Sequence, residues 1–198
     1  MCNEHRRKVE LGRISDAFAQ VRIPLRFPEG APNLAPLDSI RITDASAMVR
    51  WARDGKDAAE LVQRRWSWPG PSGKPVFNYR SEGRDFRNSA SQGRCLIMAD
   101  GFYEYTAPEE GSKRKTRWLF TLPGEDVFGI AGLWRSHDNV GEACTMLTAE
   151  PGRDIAPYHS RQIVIVPRAD WGRWLDGSAP AAELLRPSPA GTLAVERA

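Results

Sequence analysis

The strongest constraint on what this chain can fold into is its punctuation. Eight short apolar runs recur along it, each bounded by Gly, Pro, Asp or Asn: SIRIT at 39–43, AMVRWA at 47–52, ELVQRRWSW at 60–68, RCLIMADGFYEYT at 94–106, TRWLFTL at 116–122, VFGIAGLW at 127–134, ACTMLTA at 143–149 and QIVIV at 162–166. Runs so short, rich in β-branched and aromatic residues, predict strands. Helical spacing is confined to a few places. After a strand-like start, Ile14, Ala17, Phe18 and Val21 recur at i, i+3, i+4 and i+7, and ADWGRWLDG sets Trp171, Trp174 and Leu175 on one face. A second piece, AAELLRP, precedes a Pro/Gly-rich end. The expected class is α+β, one domain over 1–198 with a mostly antiparallel, barrel-like β core, a few flanking helices and a last ~20 residues that are peripheral.

Composition narrows the class further. No apolar run approaches the ~18 residues that would span a bilayer, so a membrane protein is not expected. The start, MCNEHRRKVELG, carries no apolar segment behind its basic residues and predicts a cytoplasmic protein. Cys2, Cys95 and Cys144 are odd in number, far apart and without a CxxC pair, which argues against disulfide staples and structural zinc. Neither metal nor cofactor is expected.

Charge is informative only locally. Lys+Arg of 28 against Asp+Glu of 25 leaves +3, too little to name a partner. Between residues 61 and 94, however, stand seven basic residues (Arg64, Arg65, Lys74, Arg80, Arg84, Arg87, Arg94) and two acidic ones (Glu82, Asp85), a local +5. Trp66, Trp68, Phe77, Tyr79 and Phe86 interleave with them. Cations for phosphates and ring faces for bases are what a single-stranded nucleic-acid groove needs; solvent-facing arginines over an aromatic core are the alternative. KRKTR at 113–117, which lacks aromatics, reads as a solvated hairpin tip.

Several residues could carry chemistry. Removal of Met1 would make Cys2 the N-terminal residue, with thiol and free α-amine on adjacent carbons. The amine can condense with an aldehyde to a Schiff base and the thiol can close on the imine carbon, giving a five-membered thiazolidine. An incidental cysteine at position 2 is the competing reading. Glu104 sits among Phe102, Tyr103 and Tyr105, where desolvation would raise its pKa toward general acid–base use; the alternation leaves open whether it faces the core or the solvent. Of the three histidines, His137 reads as surface. His159 stands out as a candidate proton shuttle, at a turn before an apolar strand and two residues from Arg161, a layout that could set an imidazole and a cation in one pocket. Asn78 could hold the N-terminal residue or a substrate, or could form a turn.

Taken in order, MC at the start, NLAP at 33–36, the Trp strand at 66–68, NYRSEGRDFR at 78–87, RCLIMADGFYEY at 94–105, FGIAGLW at 128–134, CTMLTAE at 144–150 and His-x-Arg at 159–161 resemble the SOS response-associated peptidase family. The resemblance implies recognition of abasic sites in single-stranded DNA and covalent capture through Cys2 after loss of Met1, a thiazolidine shielding the lesion. It implies that Asn78 contacts Cys2 and the sugar, that Glu104 assists ring opening and Schiff-base formation, and that His159 is the second acid–base group. Arg80, Arg84 and Arg161 fall at phosphate-holding positions, Trp66 or Trp68 near stacking aromatics, and Pro36 and Thr148 among the DNA contacts. It further implies thiol autopeptidase activity, possible lyase-like chemistry, a monomer, and association with the nucleoid when on DNA. The chain departs from the family pattern at Asn3-Glu4, where Gly-Arg is common, at Tyr79 and at Met98. Two rivals remain: an N-terminal-nucleophile cysteine amidohydrolase and a non-covalent single-strand-binding module.

Overall fold

The computed structural model describes residues 2–54 and 56–198, so the expected removal of Met1 lies outside the described residues. The chain opens with β1 (Glu4–Arg7), α1 (Leu11–Gln20), β2 (Leu25–Arg26) and β3 (Leu37–Arg41). β4 (Ala45–Trp51) and β5 (Ala59–Trp66) follow, then the two-residue strands β6 (Trp68–Pro69) and β7 (Pro75–Val76), and β8 (Asn78–Arg80). Next come β9 (Gln92–Ala99), β10 (Gly101–Thr106), β11 (Thr116–Thr121), β12 (Phe128–His137) and β13 (Gly141–Ala149). β14 (Gln162–Ile163), β15 (Ile165–Val166), a 3-10 turn at Arg168–Asp170, α2 (Trp171–Leu175), α3 (Ala181–Leu184) and β16 (Ala194–Arg197) complete it.

The expected α+β class with a barrel-like core is what forms. β13, β12, β9, β4 and β5 pair successively, and β5 returns to β13 in parallel through Ala143 opposite Arg65 and Cys144 opposite Trp66, closing a five-stranded barrel. Closure brings backbones close at β12. A Cβ on Gly132 would stand 2.7 Å from the Thr145 carbonyl oxygen and 3.0 Å from Cys95 Sγ, so only glycine fits between β9 and β13. A second sheet, ordered β16, β11, β10, β1, β3, lies beside the barrel.

The run at 94–106 is two strands because its Asp-Gly is a corner. Asp100 accepts from Arg6 Nε at 2.6 Å, from the Val9 amide at 2.9 Å and from the Lys8 amide, which ties the end of β9 to the end of β1 and turns the chain from barrel into second sheet. β9 is buried on both faces, which explains its unbroken apolar sequence. Leu96 and Met98 join the helix-covered cluster with Ile14, Phe18, Trp171 and Trp174, whereas Cys95, Ile97 and Ala99 join Phe102, Phe120 and Trp66. The stretch 60–68 likewise breaks at Ser67, which takes a positive φ of 104°. The tail is tied down: β16 pairs with β11, Arg197 meets Glu109 at 3.1 Å, and Asp154 accepts from the Gly191 and Leu193 amides. No helix among the described residues is long and apolar enough to cross a membrane.

Candidate active site at the start of the first strand

Three segments meet just ahead of β1. Pairing of His5 with Phe102 and Arg6 with Gly101 runs the preceding residues alongside the outer half of β10. Cys2 is 1% exposed, and its Sγ donates to the Glu4 carbonyl at 3.2 Å. The Cys2 backbone nitrogen donates to the Glu104 carboxylate. From the other side Asn78 Nδ2 donates to the Cys2 carbonyl at 2.7 Å. Asn78 is strand, not turn: β8 lies parallel to β13 with Asn78 opposite Met146 and Arg80 opposite Thr148. Its Oδ1 is buried and accepts no hydrogen bond from the described residues.

The alternation left open for Glu104 resolves inward. It shares the face of Phe102 and is 1% exposed, and burial pushes its carboxyl up to about 7. Burial, followed by the neighbouring Glu104 carboxylate, raises the Cys2 thiol well above its ordinary range and keeps it protonated at neutral pH. His159 follows a turn anchored by Tyr158, whose ring packs edge-on to Trp118 and Phe120 at 5.1 and 5.2 Å. The Arg161 amide and carbonyl lie 2.9 and 3.1 Å from His159 Nδ1 and fix the orientation of the ring. Partial burial lowers the His159 pKa and favours the neutral form. Glu104 and His159 line one cleft of about 490 Å³ with Asn3, Tyr105, Arg114 and Lys115. The four residues expected to do chemistry are therefore together: Cys2, Asn78 and Glu104 joined by hydrogen bonds, Glu104 and His159 by the cleft.

The residues expected to meet DNA divide. Arg80 and Pro36 are exposed. Arg161 forks onto Glu82, with Nη2 to Oε2 at 2.9 Å, and also donates to the Thr148 carbonyl at 2.8 Å. Thr148 is 1% exposed and serves as Arg161's anchor, offering no surface of its own. Arg84 lies over the Tyr79 ring at 4.7 Å and lines a separate cleft of about 360 Å³ with Trp68, Phe86 and Arg135. The stacking expected of Trp66 or Trp68 finds no open ring face. Trp66, drawn into the wall by the closing pair with Cys144, is fully buried and donates Nε1 to the Phe77 carbonyl at 2.9 Å. Trp68 is 5% exposed beneath the Arg135 guanidinium at 4.3 Å.

The basic stretch also loses members to structure. Arg94 is buried under Phe86 and Ala179 carbonyls, and Arg64 is paired with Glu29 and Glu142. Conversely, Asn3, Tyr105, Arg114 and Lys115 line the cleft, although the sequence marks them only as a departure from the family pattern, an aromatic neighbour of Glu104 and a solvated hairpin tip. The signal lay in the hairpin: Thr106 opposite Thr116 returns the KRKTR segment to the end of the Glu104 strand.

The sequence model of a family described as SOS response associated peptidase (SRAP) matches residues 1–197. Among curated proteins, the chain is 27% identical over 191 residues to the abasic site processing protein YoaM of Bacillus subtilis, covering 86% of this chain and 78% of that one. YoqW of the same organism, also called an abasic site processing protein, is 27% identical over 181 residues, 81% of this chain and 75% of that one. Among solved structures, a protein of Bordetella bronchiseptica superimposes with a TM-score of 0.71 at 25% identity, covering 100% of this chain and 99% of that one. One from Bacteroides thetaiotaomicron has the same fold, with a TM-score of 0.72 at 17% identity over 99% and 91% of the two chains.

Proposed function

This chain belongs to the SOS response associated peptidase family, and from that premise we propose that it processes abasic sites in single-stranded DNA by covalent capture on Cys2. The observation that carries the reading is the Cys2 nitrogen lying on the Glu104 carboxylate with the thiol buried beside it. Loss of Met1, by autoproteolysis or by an aminopeptidase, turns that nitrogen into a free α-amine.

The chemistry then orders itself. The thiol is held protonated by burial, so the amine attacks first: a C–N bond forms to the aldehyde carbon of the ring-opened sugar, and the carbonyl oxygen leaves as water. Glu104, with a carboxyl near 7, can give the proton that opens the ring and expels water and can then take the thiol's proton. The sulfur adds to the imine carbon, the imine nitrogen ends protonated, and the thiazolidine ring closes. Asn78 fixes the Cys2 carbonyl through Nδ2 and keeps Oδ1 as an acceptor for a sugar hydroxyl. His159, in its neutral form, is the second acid–base group across the cleft, while the exposed Arg80 faces the phosphates beside Arg161, which reaches them on leaving Glu82. An imine that did not close would leave the sugar open to β-elimination of its 3′ phosphate, which is the lyase-like branch.

Intact-mass spectrometry tests this directly. The purified protein should lack the mass of Met1 and, mixed with abasic single-stranded DNA, should gain one oligonucleotide less one water in a form that survives denaturation. Cys2→Ala should replace that adduct with a borohydride-trappable imine and increase strand cleavage. Processed wild-type protein that forms no adduct sinks the reading. Turnover of a small amide without a DNA adduct would select the amidohydrolase, and salt-sensitive binding indifferent to the lesion the simple binding module.

A further inference from the structure

The cleft holding Glu104 and His159 has a basic rim that the sequence assigned to solvent. β10 and β11 form a hairpin whose last pair is Thr106 opposite Thr116, and the base is fastened by Trp118 Nε1 donating to Thr106 Oγ1 at 2.9 Å. The connecting loop carries Lys113, Arg114 and Lys115, all exposed. Of the neighbouring charges, Arg117 binds Glu4 at 2.8 Å and Arg197 binds Glu109 at 3.1 Å, and the exposed Glu110 is the loop's other anion. Lys113, Arg114 and Lys115 take part in no ion pair among the described residues. Two of them, Arg114 and Lys115, line the cleft together with the Glu104 carboxylate and the His159 imidazole. Solvated tips usually dissipate such charge in water; here the tip borders a concave site, and Ser112 Oγ, accepting from the Arg114 amide at 3.1 Å, shapes it.

We propose that Arg114 and Lys115 hold a backbone phosphate next to the abasic sugar, forming a second cationic bank in addition to that of Arg80. The inference rests on the capture of abasic DNA proposed above. A sugar whose reacting carbon reaches Glu104 carries phosphates on both flanks, and a cationic rim at the cleft mouth takes one of them by Coulomb attraction without reading base identity. The two side chains are positioning groups: they hold the strand, and the reacting atoms belong to Cys2 and Glu104.

The test compares wild type with Arg114→Gln/Lys115→Gln in adduct formation on an abasic single-stranded oligonucleotide, across DNA concentration and at several salt concentrations. The half-saturating DNA concentration should rise about tenfold near physiological salt, and the logarithmic salt slope should flatten by about 1.4, that is ~0.7 for each of two contacts. The rate at saturating DNA and the thermal midpoint should stay unchanged. Arg114→Lys/Lys115→Arg should recover most of the affinity, since point charges suffice for a phosphate. Unchanged half-saturation and slope would overturn the proposal, as would a loss confined to the saturating rate. Should wild type form no adduct, the capture reading fails separately, and the same slope comparison on non-covalent binding of that oligonucleotide still decides the role of the hairpin.

Discussion

Glu104 is the residue on which stability and chemistry pull apart. It lies on the Phe102 face of β10 with its carboxyl raised to about 7 by burial, so between its ordinary value of 4.5 and about 7 the folded chain binds a proton that the unfolded chain does not. Stability therefore falls as pH rises through that window. Glu104→Gln removes the buried charge and should raise the unfolding free energy at pH 8 by about 1–3 kcal/mol, measured in urea. The same variant should slow adduct formation by about 100-fold, measured by gel, as expected for loss of a general acid–base group. It should also remove the pH dependence of the rate that titration of Glu104 near 7 predicts for wild type. A variant both unstable and inactive would mean that Glu104 is a framework residue. Glu4 shows the converse pattern: its carboxylate is buried but fully satisfied, accepting from Ser39, from the Tyr105 hydroxyl and from Arg117 at 2.8 Å. Where the family commonly places a cation beside the cysteine, this chain has an anion neutralised by its own arginine.

At the level of elements, the site depends on one corner. β9 belongs to the barrel and β10 to the second sheet, and Asp100 between them fixes β1, which delivers Cys2, against β10, which delivers Glu104. Asp100→Ala leaves the Val9 and Lys8 amides and Arg6 without their acceptor and should cost about 2–4 kcal/mol in denaturant unfolding, several hydrogen bonds to a charged group being lost at once. Adduct formation by the residual folded protein should drop as well, because the two strands carrying amine and carboxylate lose their common anchor. Normal crosslinking by a destabilised Asp100→Ala would show that pairing of β1 with β10 is enough. Sequence periodicity located β4, β11, β12, β13 and α1 to within three residues at either end. It missed the splits at Asp100, Ser67 and Val164, because a run buried on both faces looks the same whether or not the chain changes sheet midway. β8 and β16 were missed too. The first is three residues inside a turn-rich stretch, and the second is an exposed edge supported by pairing with β11 and by the Arg197–Glu109 ion pair.

For the whole molecule, acid should reveal a second buried titratable group. His5 is fully buried, with Nε2 3.1 Å from Ser46 Oγ and its ring edge-on to Trp66 at 4.9 Å, and burial lowers its pKa to about 3. The unfolded chain takes that proton near 6.5, so from 6.5 down to about 3 the unfolded state binds more protons and stability falls with falling pH. Glu104 acts in the opposite sense above 4.5, so the steep loss should begin below about pH 4.5, where carboxylates held low by arginines, such as Glu142 and Glu82, add to it. His5→Gln should shallow that decline in urea midpoints between pH 5 and 3.5, and an unchanged decline would assign it to the carboxylates alone.

Sequence alone determined the class of fold, the four residues of the proposed chemistry and the family, because alternation, turn formers and an ordered set of motifs are local properties written in residue identity. It could not assign the surface. Trp66 and Thr148 became wall, Arg94 and Arg64 became struts, and Arg114 and Lys115 of the hairpin tip became the rim of a cleft. Only tertiary structure decided these, since burial depends on which distant strand closes over a side chain: the parallel return of β5 to β13 and the corner at Asp100 are long-range events with no local periodicity to announce them.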